Sequence, residues 1–110
     1  MKTPLSGKQV SVIAEIGINH GGSLKLATKL IESAARTGAD FVKLQTYITE
    51  KRVPKHSPIY QNLKACELPL NDFRTLKKCA DDNGVRFFST PFDHESIEVL
   101  EDIGVELYKV

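Results

Sequence analysis

The sequence predicts an α/β fold in which parallel strands alternate with helices, and three observations predict it. Four short runs, VSVIAEIG, DFVKLQT, VRFFSTP and VELYKV, are apolar enough to be covered on both faces, as parallel strands flanked by helices are. Three times a helical stretch ends in a glycine followed closely by one of those runs, in TGADFVKLQ, NGVRFFS and IGVELYKV. Glycine supplies the left-handed conformation that stops a helix and turns the chain into the next strand. The runs also end in chemically capable side chains: Glu15, Lys43, the pair Ser89–Thr90, and Lys109. Repetition of this unit implies right-handed crossovers within one parallel sheet.

The elements follow in order. Strand one is expected over residues 9–16 and runs into a glycine-rich turn at 17–22. Ser23 is placed to cap a helix whose apolar positions Leu24, Ala27, Ile31, Ala34 and Ala35 recur at helical spacing until Gly38. Strand two covers residues 41–46. Residues 47–70 contain Pro54, Pro58 and Pro69; so long a connection is usually functional, and it is expected as a partial lid over the strand ends, with a short helical turn near 59–66. A second helix spans 71–83, with Phe73, Leu76 and Ala80 on one face and Gly84 at its end. Strand three covers 85–89 and is broken by Pro91. Asp93 can cap a third helix, whose inward stripe is Ile97, Leu100 and Ile103, before Gly104 and strand four from Val105 onward.

At 110 residues the chain makes one domain. Four strands cannot close a barrel of eight βα units, so the expected architecture is the first half of a TIM (β/α)8-type barrel, with unpaired edges and apolar surface that call for a partner. A formal net charge of +1 with 26% charged residues sets up no global field toward nucleic acid or membrane. The 41% hydrophobic content suits a globular protein, and no apolar run approaches the ~20 residues of a membrane span. MKTPLSGKQV lacks the apolar core of a secretory leader, so a cytoplasmic setting is expected. Cys66 and Cys79 form no C-x-x-C; Cys79, beside a helical apolar stripe, is expected as a buried free thiol.

Ionisable and hydroxyl groups at the exits of parallel strands are where βα enzymes gather their active sites. A carboxylate, two ammonium groups and two hydroxyls at one mouth describe a pocket for an anionic substrate. Gln45, two residues beyond Lys43, shares its strand face. Each residue also has a plainer role open to it. Glu15 can be the structural partner of Lys43 or Lys109; either lysine can extend to solvent; Gln45 can be a solvated amide; Ser89 and Thr90 can form a turn into the next helix. Asp93 is assigned to capping outright. Asn19 and His20 are expected to shape their loop, since His20 has no second ligand at i+2 or i+4 with which to hold a metal. The glycines of the first turn fit no G-x-G-x-x-G phase, so no dinucleotide site is expected. His56 and His94 read as surface residues. The run Glu50, Lys51, Arg52 and Lys55 reads as a solvated face that could draw in an anionic substrate.

Four motifs taken together, AEIGINHGG, GADFVKLQTY, FFSTPFDHESIEVLEDIG and YKV, resemble the N-terminal half of the sialic-acid synthase family, across residues 10–110. That family makes N-acetylneuraminate, legionaminate and pseudaminate. The resemblance implies condensation of phosphoenolpyruvate with an N-acylated hexosamine, N-acetylmannosamine or a relative, with release of phosphate. It implies that Lys43 and Lys109 belong to the phosphoenolpyruvate pocket, that Thr90 binds phosphate, that Gln45 binds the sugar, and that Glu15 contacts the sugar and handles the proton of the attacking water. Combined with the strand-end reading, this makes Glu15 and Lys43 the expected catalytic residues and Gln45, Ser89, Thr90 and Lys109 the expected substrate contacts. It further implies a divalent metal, Mn or Mg, with ligands outside this chain, a homodimer, and an antifreeze-like C-terminal domain. The rest of the barrel and that domain are expected to lie beyond residues 1–110. Competing readings are a Schiff-base aldolase, since strand-end lysines also form imines, and an inactive phosphosugar-binding half-barrel.

Overall fold

The computed structural model describes residues 9–110. Three parallel strands, β1 (Ile13–Gly17), β2 (Phe41–Thr46) and β3 (Arg86–Pro91), form one sheet in the order β1-β2-β3. Helix α1 (Leu24–Arg36) joins the first two strands. Two short helices, α2 (Thr49–Arg52) and α3 (Tyr60–Ala65), precede α4 (Asp72–Asp82), which leads to β3, and α5 (His94–Asp102) follows it. The expected α/β class with parallel strands is the observed one.

Local chemistry accounts for the helices. The Ser23 hydroxyl accepts from the Leu26 N–H at 3.1 Å and caps α1, whose Ala27, Ile31 and Ala34 are buried. The Asp93 carboxylate accepts from the Ser96 N–H at 2.7 Å and caps α5, while its other oxygen accepts from the Ile48 N–H at 3.1 Å. The cap therefore also ties the end of β2 to the start of α5. Helices α1 and α4 pack together over the sheet, and Ile31, Phe73, Leu76, Val42, Leu44 and Leu100 are fully enclosed between the layers. Buried aliphatic and aromatic side chains of this size each contribute about 1.5–3 kcal/mol.

Several expectations are corrected. The fourth strand reduces to one parallel bridge, Ser89↔Tyr108, with the Lys109 N–H donating to the Ser89 carbonyl at 3.1 Å. Among the described residues this segment has a strand neighbour on one flank only. Strand one starts at Ile13 rather than at residue 9. Pro91 completes β3 instead of breaking it: in register with Thr46, it needs no N–H, and the next residue, Phe92, donates to the Thr46 carbonyl at 3.1 Å. Ile97 is 40% exposed, and α5 turns Ser96 and Leu100 inward in its place. Residues 47–70 hold the expected helical turn as α3 and, in addition, the short helix α2. Cys79 is a free thiol, though half-buried, and burial pushes its pKa up.

Strand alternation divides the sheet into two faces. Leu44 and Ser89 are partners in register and lie on the helix-covered face. Lys43 is flanked by Glu15 on β1 and Phe88 on β3, and Gln45 by Thr90, on the opposite face.

Candidate functional site

Glu15 and Lys43 meet at the same level of that open face. The Lys43 ammonium donates to Glu15 Oε1 at 2.6 Å, with the lysine side chain 13% exposed and the glutamate 55%. Glu15 lies within β1, and its carboxylate is half in solvent because no described element covers this face of the strand. A bulge directly follows it, where β1 advances from Glu15 to Gly17 as β2 advances from Lys43 to Leu44. Gly17 takes φ +57°, and a Cβ there would lie 3.3 Å from Glu15 Oε2 and 3.8 Å from Gln45 Nε2. The missing side chain leaves a notch bordered by a carboxylate and an amide.

Gln45 and Thr90 are partners in register, so both stand one step beyond the ion pair toward the strand exits. Backbone register puts Lys109 on this face as well, because its neighbour Tyr108 pairs with Ser89 on the other. The Lys109 ammonium itself donates to the Val110 carbonyl at 2.6 Å and makes no contact with Glu15. Ser89 is the residue the structure does not bring to the group. It is fully buried on the helix-covered face; its hydroxyl donates to the Leu44 carbonyl at 3.0 Å and lies 2.7 Å from the Thr46 hydroxyl. Adjacent strand residues point to opposite faces, so Ser89 and Thr90 cannot both serve one pocket.

The residue missed by sequence reasoning is Arg52. Its charge run is expected as a solvated face that could draw in an anionic substrate, yet its guanidinium lies 3.7 Å from the centroid of the Phe92 ring and 4.9 Å from that of Tyr47, and donates to Gln45 Oε1 at 2.9 Å. The connection after β2 is braced to hold it there. Tyr47 donates to the Leu63 carbonyl at 2.6 Å, and Glu67 accepts from the Thr49 N–H and hydroxyl at 2.7 and 2.6 Å. Burial, seconded by Cys66, pushes the Tyr47 phenol up to about 12. Lys51 pairs with Glu95, fastening α2 to α5. One end of the insertion thus reaches the strand exits, and the only sequence signal was an arginine in a connection expected to lie over them.

The first βα loop is shaped as expected. Asn19 Nδ2 donates to the Ile16 carbonyl at 3.0 Å, and His20 Nδ1 accepts from the Gly22 N–H at 3.0 Å. His20 is buried, which lowers its pKa, and its Nε2 has no partner among the described residues. No three His, Cys, Asp or Glu side chains converge among the described residues, so they do not by themselves offer a metal ion a ligand set. No described helix is long and apolar enough to cross a membrane.

Comparison with known proteins places this geometry in context. Residues 30–110 match the NeuB family. The chain is 38% identical to an N,N'-diacetyllegionaminic acid synthase from Legionella pneumophila over 113 residues, covering 90% of this chain and 32% of that protein. It is 37% identical to the synthase of the same name from Campylobacter jejuni, covering 94% and 35%. Among solved structures, the N-acetylneuraminic acid (sialic acid) synthetase of Leptospira borgpetersenii, crystallised with citrate, superimposes with a TM-score of 0.89 at 37% identity, over 94% of this chain and 36% of that one. The chain spans about a third of the length of the curated relatives it matches.

Proposed function

The chain belongs to the NeuB family, and on that premise we propose that it supplies the first strands of a TIM-type barrel that condenses phosphoenolpyruvate with an N-acylated hexosamine. The products are a nonulosonic acid and phosphate. The observation that carries this reading is the Lys43–Glu15 pair on the open sheet face, with Gln45 and Thr90 beside it at the strand exits. Relatives named as legionaminic and sialic acid synthases support the substrate class.

In this reading C3 of phosphoenolpyruvate attacks the aldehyde carbon of the open-chain sugar, whose C=O π pair moves onto its oxygen and takes up a proton to become a hydroxyl, leaving C2 electron-poor. Water adds at C2, and the tetrahedral adduct breaks its C2–O bond to expel phosphate. Lys43 has two further N–H donors beyond the one on Glu15, and these hold the phosphate or carboxylate of the substrate. Thr90 on β3 adds a hydroxyl, and Lys109, on the segment bridged to β3, adds a second cation. Glu15 accepts the proton of the attacking water. Gln45 orients the sugar by hydrogen bonding. The divalent ion implied by the family resemblance finds no ligand set among the described residues. The remaining barrel strands, a homodimeric assembly and a cytoplasmic setting belong to the same proposal.

A Schiff-base aldolase would need a free lysine amine, and pairing to Glu15 at 2.6 Å disfavours that use of Lys43. The test uses the complete polypeptide that carries this sequence, with phosphoenolpyruvate labelled by ¹⁸O at the C2–O–P bridge. Phosphate formed only with an N-acylhexosamine present, and retaining the label, is the expected result. No phosphate release, or a borohydride-trapped keto-acid adduct on Lys43, overturns the proposal.

A further inference from the structure

We infer that Arg52 is a positioning residue for Gln45: its stacked guanidinium occupies the amide oxygen, so that Gln45 offers the site N–H donors alone, directed at an acceptor oxygen of the sugar. The inference rests on the proposed synthase reading for the identity of the ligand, but not for the geometry. Arginine carries donors and no acceptor, so the Gln45 atom facing it at 2.9 Å is the oxygen. The nitrogen of the same planar amide then borders the notch above Gly17, where Glu15 Oε2 also stands. A donor on one side and a carboxylate on the other suit a sugar hydroxyl, which accepts from the amide and donates to the carboxylate. Without Arg52 the amide could rotate by a half turn and present its oxygen there, placing two acceptors against one hydroxyl.

The clamp is built rather than incidental. Arg52 lies over Phe92, which the backbone hydrogen bond to Thr46 places directly after β3, and the Tyr47 and Phe92 rings meet edge to face with centroids 6.3 Å apart. A planar guanidinium on an aromatic face holds its fork in a fixed direction, which a lysine ammonium does not. The alternative role, direct pairing with the anionic substrate, would use the same charge differently, and the two are separable by which substrate is affected.

Steady-state kinetics of the complete polypeptide with Arg52→Met, Gln45→Ala and the double variant makes the separation, with phosphoenolpyruvate and N-acetylmannosamine or a diacetamido hexose as substrates. Arg52→Met is expected to raise KM for the sugar about tenfold, the effect of one misplaced hydrogen bond. KM for phosphoenolpyruvate stays within about twofold, and the double variant is no worse than Gln45→Ala alone, because two residues acting through one contact are not additive. A raised KM for phosphoenolpyruvate, or multiplying effects in the double variant, overturns the inference. Should Arg52→Met fail to fold, Arg52→Lys carries the same comparison, since it keeps the charge and loses the planar fork. If the wild type turns over no N-acylhexosamine, the functional proposal fails by itself. The clamp is then read from ¹⁵N relaxation of the Gln45 side-chain amide, where increased mobility in the Arg52 variant supports it and an unchanged amide refutes it.

Discussion

Replacing Lys43 by Met separates the structural from the chemical role of the ion pair. At 2.6 Å the bare Coulomb attraction between Lys43 and Glu15 is about 6 kcal/mol for an effective dielectric of ~20. Little of that is net stability. Glu15 is 55% exposed and is hydrated once its partner is gone, so an ion pair of this kind is worth about 0–1 kcal/mol. Met keeps most of the aliphatic stem beside Phe88 and introduces no buried charge. The melting temperature is therefore expected to fall by no more than about 5 °C. Catalysis should respond far more strongly. Losing a cation aimed at substrate charge in a partly enclosed site costs about 2–4 kcal/mol of transition-state stabilisation, or roughly 30- to 1,000-fold in kcat/KM for phosphoenolpyruvate. A phosphate-release assay on the complete polypeptide, run beside a thermal melt of the 110-residue chain whose exposure sets the estimate, reads both quantities. Unchanged catalytic efficiency would refute the anion-binding role of Lys43. A large fall in melting temperature would show that the pair is chiefly structural.

Two further predictions concern the first βα loop. Gly22→Ala should destabilise by about 2–4 kcal/mol, because φ is +81° and the new Cβ would stand 2.2 Å from the Ala65 carbonyl oxygen of α3. Gly21→Ala, at φ +62° with nothing within 4 Å, should cost only about 1 kcal/mol in the same urea titration, and equal losses would argue against the contact between loop and insertion. His20 is buried with its pKa below the usual 6.5, so as pH falls below that value the unfolded chain takes up a proton that the folded one does not. Its contribution to stability is level above about pH 6.5 and declines below it, by at most ~1.4 kcal/mol per pH unit, until the folded pKa is passed. Urea melts at pH 7.5 and 5.0 should show a smaller difference for His20→Gln than for the wild type; an equal difference would remove His20 from the account.

Features decided within a few residues were legible in the chain itself. Ser23 and Asp93 cap the helices they precede because each bonds an N–H three residues on. Gly38, Gly84 and Gly104 end helices because only a residue free of Cβ strain takes their positive φ readily. The apolar face of α4, with Phe73, Leu76 and Ala80, follows from helical period alone. Recurrence of these units was sufficient for the α/β class, and placing Glu15, Lys43 and Gln45 near strand exits needed little more. What lay beyond the sequence was anything set by register or by packing between distant segments. Period-two alternation says that only one of Ser89 and Thr90 can face a given side, but pairing with Leu44 and Gln45 on β2 selects which. The bulge at Ile16 and the notch at Gly17 exist only once β1 lies against β2. Arg52 is one cation in a charged run until the folded insertion brings it to Phe92, 40 positions along the sequence. Local conformation is chosen by short-range sterics and hydrogen bonds, which a sequence displays directly; the site depends on contacts between segments tens of residues apart, which only the closed tertiary structure selects.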